Sequence, residues 1–108
     1  MTPFKRFDVY QVNLDPVIGS EIARSRPCVI VSPDEMNIHL ATVIVAPLTS
    51  SVKGWPSRVS SHFGSKKGEL ALDQLRAVDK RRLAKRLGEL DEKTSAGVLA
   101  TLAKMFAA

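Results

Sequence analysis

Apolar side chains alternate with polar ones across residues 8–14, where Val9, Tyr10, Val12 and Leu14 are interleaved with Gln11 and Asn13. That near period of two predicts a half-buried strand. Asp15-Pro16-Val17-Ile18-Gly19-Ser20 then brings turn chemistry, with Pro fixing φ and Gly permitting φ > 0. A polar loop is expected over residues 20–26. Pro27-Cys28-Val29-Ile30-Val31-Ser32 is an uninterrupted apolar run, which predicts a central strand covered on both faces, with Pro27 at its first position. A short helical turn is expected over residues 32–37. A second β-branched run begins at Ala41 and is expected to stop at Pro47, before a loop over residues 50–54.

The second half is patterned more loosely. Residues 57–60 read as a weaker strand and Gly64-Ser65-Lys66-Lys67-Gly68 as a polar turn. Leu70 and Leu72 share a face of the next segment, which residues 76–79 continue. Residues 86–90 predict a last short strand. Val98, Leu99, Leu102, Met105 and Phe106 fall at i, i+1, i+4, i+7 and i+8, the stripe of a closing helix. Asp91 is its expected N-cap, and Gly97 weakens it. Five to seven short strands with one C-terminal helix predict a mostly β (α+β) fold, a small barrel with helical trim.

At 108 residues, 44% hydrophobic and 25% charged, the chain is expected to form one soluble domain over residues 1–108. Such a chain buries roughly two thirds of its unfolded surface, which excludes an enzyme with a separate cofactor domain. Cys28 is the single cysteine, so a disulfide framework is excluded. No apolar run approaches the ~18 residues that span a bilayer. The N-terminal stretch to Val12 carries Lys5, Arg6 and Asp8 without an apolar core, so it does not read as a signal peptide, and the expected location is the cytoplasm.

Charge changes the picture more. The net charge is +5, yet residues 1–54 hold five basic and five acidic residues, whereas residues 55–108 hold eleven and six. The excess is densest in Lys80-Arg81-Arg82-Leu83-Ala84-Lys85-Arg86. Such a run is either a solvated face or an attractor of polyanions, most often nucleic acid. The chain has no Gly-rich phosphate loop and no metal-ligand cluster, and His39 and His62 stand apart in sequence.

Four blocks in order carry a resemblance. They are Val9-Tyr10-Gln11-Val12-Asn13-Leu14-Asp15-Pro16 with Gly19-Ser20-Glu21; Ser25-Arg26-Pro27-Cys28-Val29-Ile30-Val31-Ser32-Pro33; Val45-Ala46-Pro47-Leu48-Thr49-Ser50; and Leu72-Asp73-Gln74-Leu75-Arg76-Ala77-Val78-Asp79. Together they resemble the MazF/PemK toxins over about residues 6–106. The resemblance implies an SH3-like barrel of the MazF/PemK/CcdB type. It also implies a ribosome-independent endoribonuclease that needs no metal or cofactor and acts as a homodimer. Its substrate is single-stranded RNA, and a cognate acidic antitoxin opposes it.

Cleavage of this kind uses the RNA's own 2′-OH as nucleophile and leaves a 2′,3′-cyclic phosphate and a 5′-OH. The protein must accept a proton, stabilise charge on phosphorus and help the leaving oxygen. By resemblance, Arg26 and Thr49 match catalytic positions and Glu21 matches the acidic residue of the first loop. Arg26 suits charge stabilisation, since a guanidinium grips two phosphate oxygens and stays protonated. Asp73 and Gln74 match a motif expected to support the loops. Ala71 and Ser20 depart from the Arg and His that some relatives use, which shifts weight to Arg26 and Thr49. Lys53, Trp55 and Arg24, with Arg81, Arg82, Lys85 and Arg86, are expected to contact RNA by charge or stacking. Trp55 packs on the barrel edge in the alternative reading, and the basic run faces the antitoxin. Leu48, Met105 and Phe106 sit either in the core or at a dimer seam. Two other functions fit the same barrel: non-catalytic RNA binding, and gyrase poisoning of the CcdB type. The second depends on a Trp-Gly-Ile terminus, whereas this sequence closes on Met105-Phe106-Ala107-Ala108.

Overall fold

In a computed structural model, which describes residues 4–108, seven strands form one antiparallel sheet, and a helix closes the chain. The first three residues of the charged N-terminal stretch lie outside the described residues. The strands are β1 (Asp8–Asn13), β2 (Ser25–Ile30), β3 (Thr42–Thr49), β4 (Arg58–Ser61), β5 (Gly68–Ala71), β6 (Arg76–Asp79) and β7 (Leu83–Glu89). The helices are α1 (Asp34–His39) and α2 (Glu92–Met105), and 3-10 turns occupy Phe63–Ser65, Leu72–Gln74 and Lys80–Arg82. Strand order is β4-β5-β3-β2-β1-β7, and β6 pairs with the first half of β3.

The β1 alternation resolves into two faces. Tyr10, Val12 and Leu14 join Cys28, Ile30, Val43, Val45 and Val78 in one buried cluster. Val9 turns the other way and packs with Val29, Ala46, Leu70, Leu72 and Val98. The sheet therefore buries both faces along β2 and β3, as the continuous apolar runs require. Asp91 caps α2 by accepting a 2.7 Å hydrogen bond from the Thr94 amide. Val98, Leu102 and Met105 face the core, while Leu99 and Phe106 are exposed, Phe106 by 74%. Of the residues proposed for a seam, Leu48 and Met105 pack on the core and only Phe106 projects outward.

Several boundaries differ from the sequence expectation. Strand β2 starts at Ser25, so Arg26 lies on a strand opposite Val12 instead of in a polar loop, and Pro27 is the third residue. Proline is tolerated there because pairing of β2 with β3 begins only at Cys28. Likewise β3 runs through Pro47 to Thr49. Pro47 stands opposite Cys28 of β2, between the stretch of β3 paired with β6 and the stretch paired with β5. The segment after Gly68 is two strands broken by a 3-10 turn, and β7 begins three residues earlier than its apolar pattern suggests.

The two ends of the sheet approach one another. The Phe63 ring lies against Gly88 of β7, where an added Cβ would come within 3.2 Å of it. No helix among the described residues is long and apolar enough to cross a membrane.

Leu70 is fully buried in the cluster under α2. Leu70→Ala is expected to lower unfolding free energy by about 2–5 kcal/mol, and Asp91→Ala by about 1 kcal/mol, in urea titrations.

Candidate functional site

A pocket of about 200 Å³ opens where β2, the end of β3 and the β4–β5 turn meet. Three cations line it, Arg26 from β2 and Lys66 and Lys67 from the turn. The hydroxyls are those of Thr49, Ser50 and Ser61, and Pro27, Leu48 and Phe63 form the apolar part. No carboxylate, imidazole or thiol lines it. Such a surface accepts an anion and gives an apolar base something to rest on.

Local structure aims the groups. Arg26 donates through Nε to the Ala23 carbonyl at 2.9 Å, which leaves its terminal guanidinium nitrogens without a partner among the described residues. Thr49 ends β3, and its Oγ1 accepts from the Ser51 amide at 3.1 Å. The hydroxyl proton is thereby left to donate outward. Thr49 sits opposite Glu69, beside Gly68. A Cβ at Gly68 would collide with the Thr49 carbonyl oxygen, so only glycine lets β5 approach here.

Glu21 is not part of this pocket. It lines a neighbouring hollow with Asp73, Gln74 and Arg76, on the other side of Pro47. Its Oε1 accepts from the Ile18 amide at 2.6 Å, closing its own loop. Gln74 holds the same loop by accepting from the Ile22 amide at 3.2 Å. Arg24 is exposed, with φ of 70° and its amide bonded to Asp15.

The loop after Thr49 is anchored by an ion network that the sequence did not signal. Glu69, buried on β5, accepts from the Lys53 and Gly54 amides at 2.9 and 3.0 Å. Arg58 of β4 donates to Glu69 at 3.3 Å and to Asp73 at 2.7 and 3.3 Å. Its guanidinium also covers the Trp55 ring, 4.7 Å from the centroid, while Lys53 approaches to 5.9 Å. Trp55 remains half exposed. The Lys53 and Gly54 amides and the Arg58 guanidinium outweigh the burial of Glu69 and hold its carboxyl below the usual range. For Asp73 burial pushes upward, but hydrogen bonds from Arg58 and Ser57 win and lower it too. These bonds in turn raise Arg58 above its ordinary value, Asp73 contributing most.

Most of the basic run is already engaged. Lys80 donates to the Asn37 carbonyl, Arg81 pairs with Asp79 at 3.0 Å, and Arg82 donates to the carbonyls of Asn13 and Asp15. Arg86 pairs at 3.1 Å with buried Asp8. Lys85 is exposed and without a described partner. The missed residues are Lys66, Lys67, Arg58 and Glu69. Only the Gly-flanked Lys66-Lys67 pair carries a sequence signal. His39 and His62 are exposed on separate elements, and burial pushes the Cys28 thiol up to about 12, so it stays protonated. Among the described residues no three His, Cys, Asp or Glu side chains gather as a metal site.

Residues 5–106 match the family model described as PemK-like, MazF-like toxin of type II toxin-antitoxin system. Endoribonuclease MazF of Staphylococcus saprophyticus is 36% identical, the match covering 82% of this chain and 79% of that protein. Endoribonuclease EndoA of Bacillus subtilis is 34% identical, covering 82% and 81%. The crystal structure of MazF from Deinococcus radiodurans superimposes with a TM-score of 0.82 at 29% identity, covering 97% of this chain and 96% of that one. A mycobacterial endoribonuclease solved in complex with its cognate antitoxin gives 0.78 at 26% identity, covering 93% and 91%.

The lowered carboxyls of Glu69 and Asp73 set a pH dependence. Their contribution is complete above the unfolded carboxylate range of about 4 and is lost as pH falls through their depressed folded values. Emission from Trp55, the single tryptophan, is expected to hold steady above pH ~5 and shift below pH ~4. Glu69→Gln, with one carboxylate fewer to titrate, is expected to shrink that acid shift.

Proposed function

The chain belongs to the PemK-like, MazF-like toxin family of type II toxin-antitoxin systems, and from that membership we propose that it is an endoribonuclease cutting single-stranded RNA in the Arg26–Thr49 pocket. One observation carries the reading. Arg26 and Thr49, brought in by different strands, line the same acceptor-poor pocket together with two lysines.

The chemistry follows from that lining. In-line attack by the 2′-OH builds negative charge on the phosphate oxygens. The free end of the Arg26 guanidinium takes the two non-bridging ones, and the Thr49 hydroxyl donates to one of them or orients the nucleophile. The 2′-OH proton passes to solvent water, and the 5′ oxygen leaves with support from the same cations and takes a proton from water, giving a 2′,3′-cyclic phosphate and a 5′-OH. The lining offers cations and hydroxyls, and the route proposed here draws on these side chains alone. Glu21 is assigned to the loop instead of the proton, since its Oε1 accepts from the Ile18 amide in a separate hollow. Asp73 and Gln74 act as supports, through Arg58 and through the Ile22 amide. Lys53 and Trp55 lie on the loop that leaves the pocket rim and offer RNA a cation and an exposed ring.

An acidic antitoxin is the partner proposed to compete for this basic pocket, consistent with a neighbouring fold solved with its cognate antitoxin. The protein is proposed to act as a homodimer in the cytoplasm, and Phe106 is the exposed one of the three side chains expected at such a seam.

Incubation with total RNA and capture of new 5′-OH ends is expected to yield a short cut sequence, unaffected by EDTA. Arg26→Ala is expected to abolish it. A general base contributes about 10²–10⁴-fold, so Glu21→Gln is expected to lose less than about tenfold. A larger loss would make Glu21 the base. Undiminished cutting by Arg26→Ala would overturn the assignment.

A further inference from the structure

The densest basic segment of the chain is not the segment with free charge. Arg81 and Arg86 are each tied to a carboxylate, and Lys80 and Arg82 donate to backbone carbonyls. Lys66 and Lys67 have no ion pair or hydrogen bond from their side chains among the described residues, and both line the pocket of Arg26 and Thr49. They are also held in place from three sides. Ser61 pairs with Gly68 across the base of the turn. Gly68 lies in close approach to the Thr49 carbonyl. Phe63, at the start of the turn, packs into the core and against Gly88. Gly64 and Ser65 take φ of 63° and 65°, which turns the chain sharply before the lysines.

Free ammonium groups on a braced turn beside a phosphate-gripping arginine are suited to neighbouring phosphates. Each cation that neutralises an RNA phosphate releases the counterion condensed there, and a lysine with no partner inside the protein is free to do so. We infer that the β4–β5 turn is the phosphate anchor of this ribonuclease. Lys66 and Lys67 hold the phosphates flanking the one at Arg26, and the 80–86 run contributes little. The inference rests on the endoribonuclease reading and deepens it by assigning where the RNA backbone is held.

The test is the salt dependence of binding. The probe is a labelled single-stranded RNA carrying the mapped cut site, 2′-O-methylated at the attacking nucleotide so that it binds without being cut. On single strands each neutralised phosphate contributes about 0.7 to the slope of log K against log salt. The double variant Lys66→Ala with Lys67→Ala is expected to lower that slope by about 1.4. Lys66→Arg with Lys67→Arg is expected to keep it, and unchanged thermal melting of both excludes a folding effect. Arg81→Ala with Lys85→Ala is expected to lower the slope by less than half as much.

An unchanged slope in the lysine-to-alanine variant overturns the proposal, as does a larger loss from the Arg81 and Lys85 pair. Both results presuppose that the wild-type chain produces 5′-OH ends. If it does not, the endoribonuclease reading itself falls.

Discussion

A carboxylate taken out of water must be given donors, and Glu69 receives three, from the Lys53 and Gly54 amides and from Arg58. Much of the site depends on this. The loop that leaves Thr49 returns to β4 only because its backbone is held from beneath by that side chain. Arg58 in turn orders Asp73, and it fills one face of the Trp55 ring. A buried ion network of this sort adds little net stability compared with an apolar core. Its contribution is positional, and removing Arg58 would leave two carboxylates without their counterpart. Here it fixes the path of the loop that runs from one wall of the pocket.

The pocket works on the opposite principle. Arg26, Lys66 and Lys67 converge there with no carboxylate among the lining residues, so their charge is unspent. Concentrating like charge is unfavourable in the free protein, and the scaffold bears it: Arg26 is pinned by Ala23, and the lysines ride on a turn braced by Phe63 and Gly68. A polyanion relieves that repulsion. Most of the conspicuous positive run elsewhere is held to the protein: Arg86 pairs with Asp8, and Arg82 clips the chain that follows β1.

Where local pattern met a dominant local force, the structure agrees with it. The β1 alternation, the two β-branched runs and the capped closing helix are all present, because burial and capping act over a few residues. Where the outcome turned on a neighbouring strand, local pattern failed. Ser25 and Arg26 carry a polar sequence and are nevertheless strand, since β1 offers them partners. Pro47 does not end β3, since it falls where the strand changes neighbours.

Sequence alone determined a fold of several short strands closed by one helix, the family, and Arg26 and Thr49 as the pair to watch. Those follow from side-chain periodicity and ordered motifs, which are properties of the chain itself. Only the tertiary structure decided which charges are free. Lys66-Lys67 looked like an ordinary polar turn and 80–86 like the nucleic-acid surface. Glu21 looked like a member of the Arg26 pocket. Each difference has one cause: a side chain reaches a ligand only as far as its bonds inside the protein leave it free, and the partners here, Asp8, Asp79 and the Asn13, Asp15 and Asn37 carbonyls for most of the run and the Ile18 amide for Glu21, are set by how strands and loops pack.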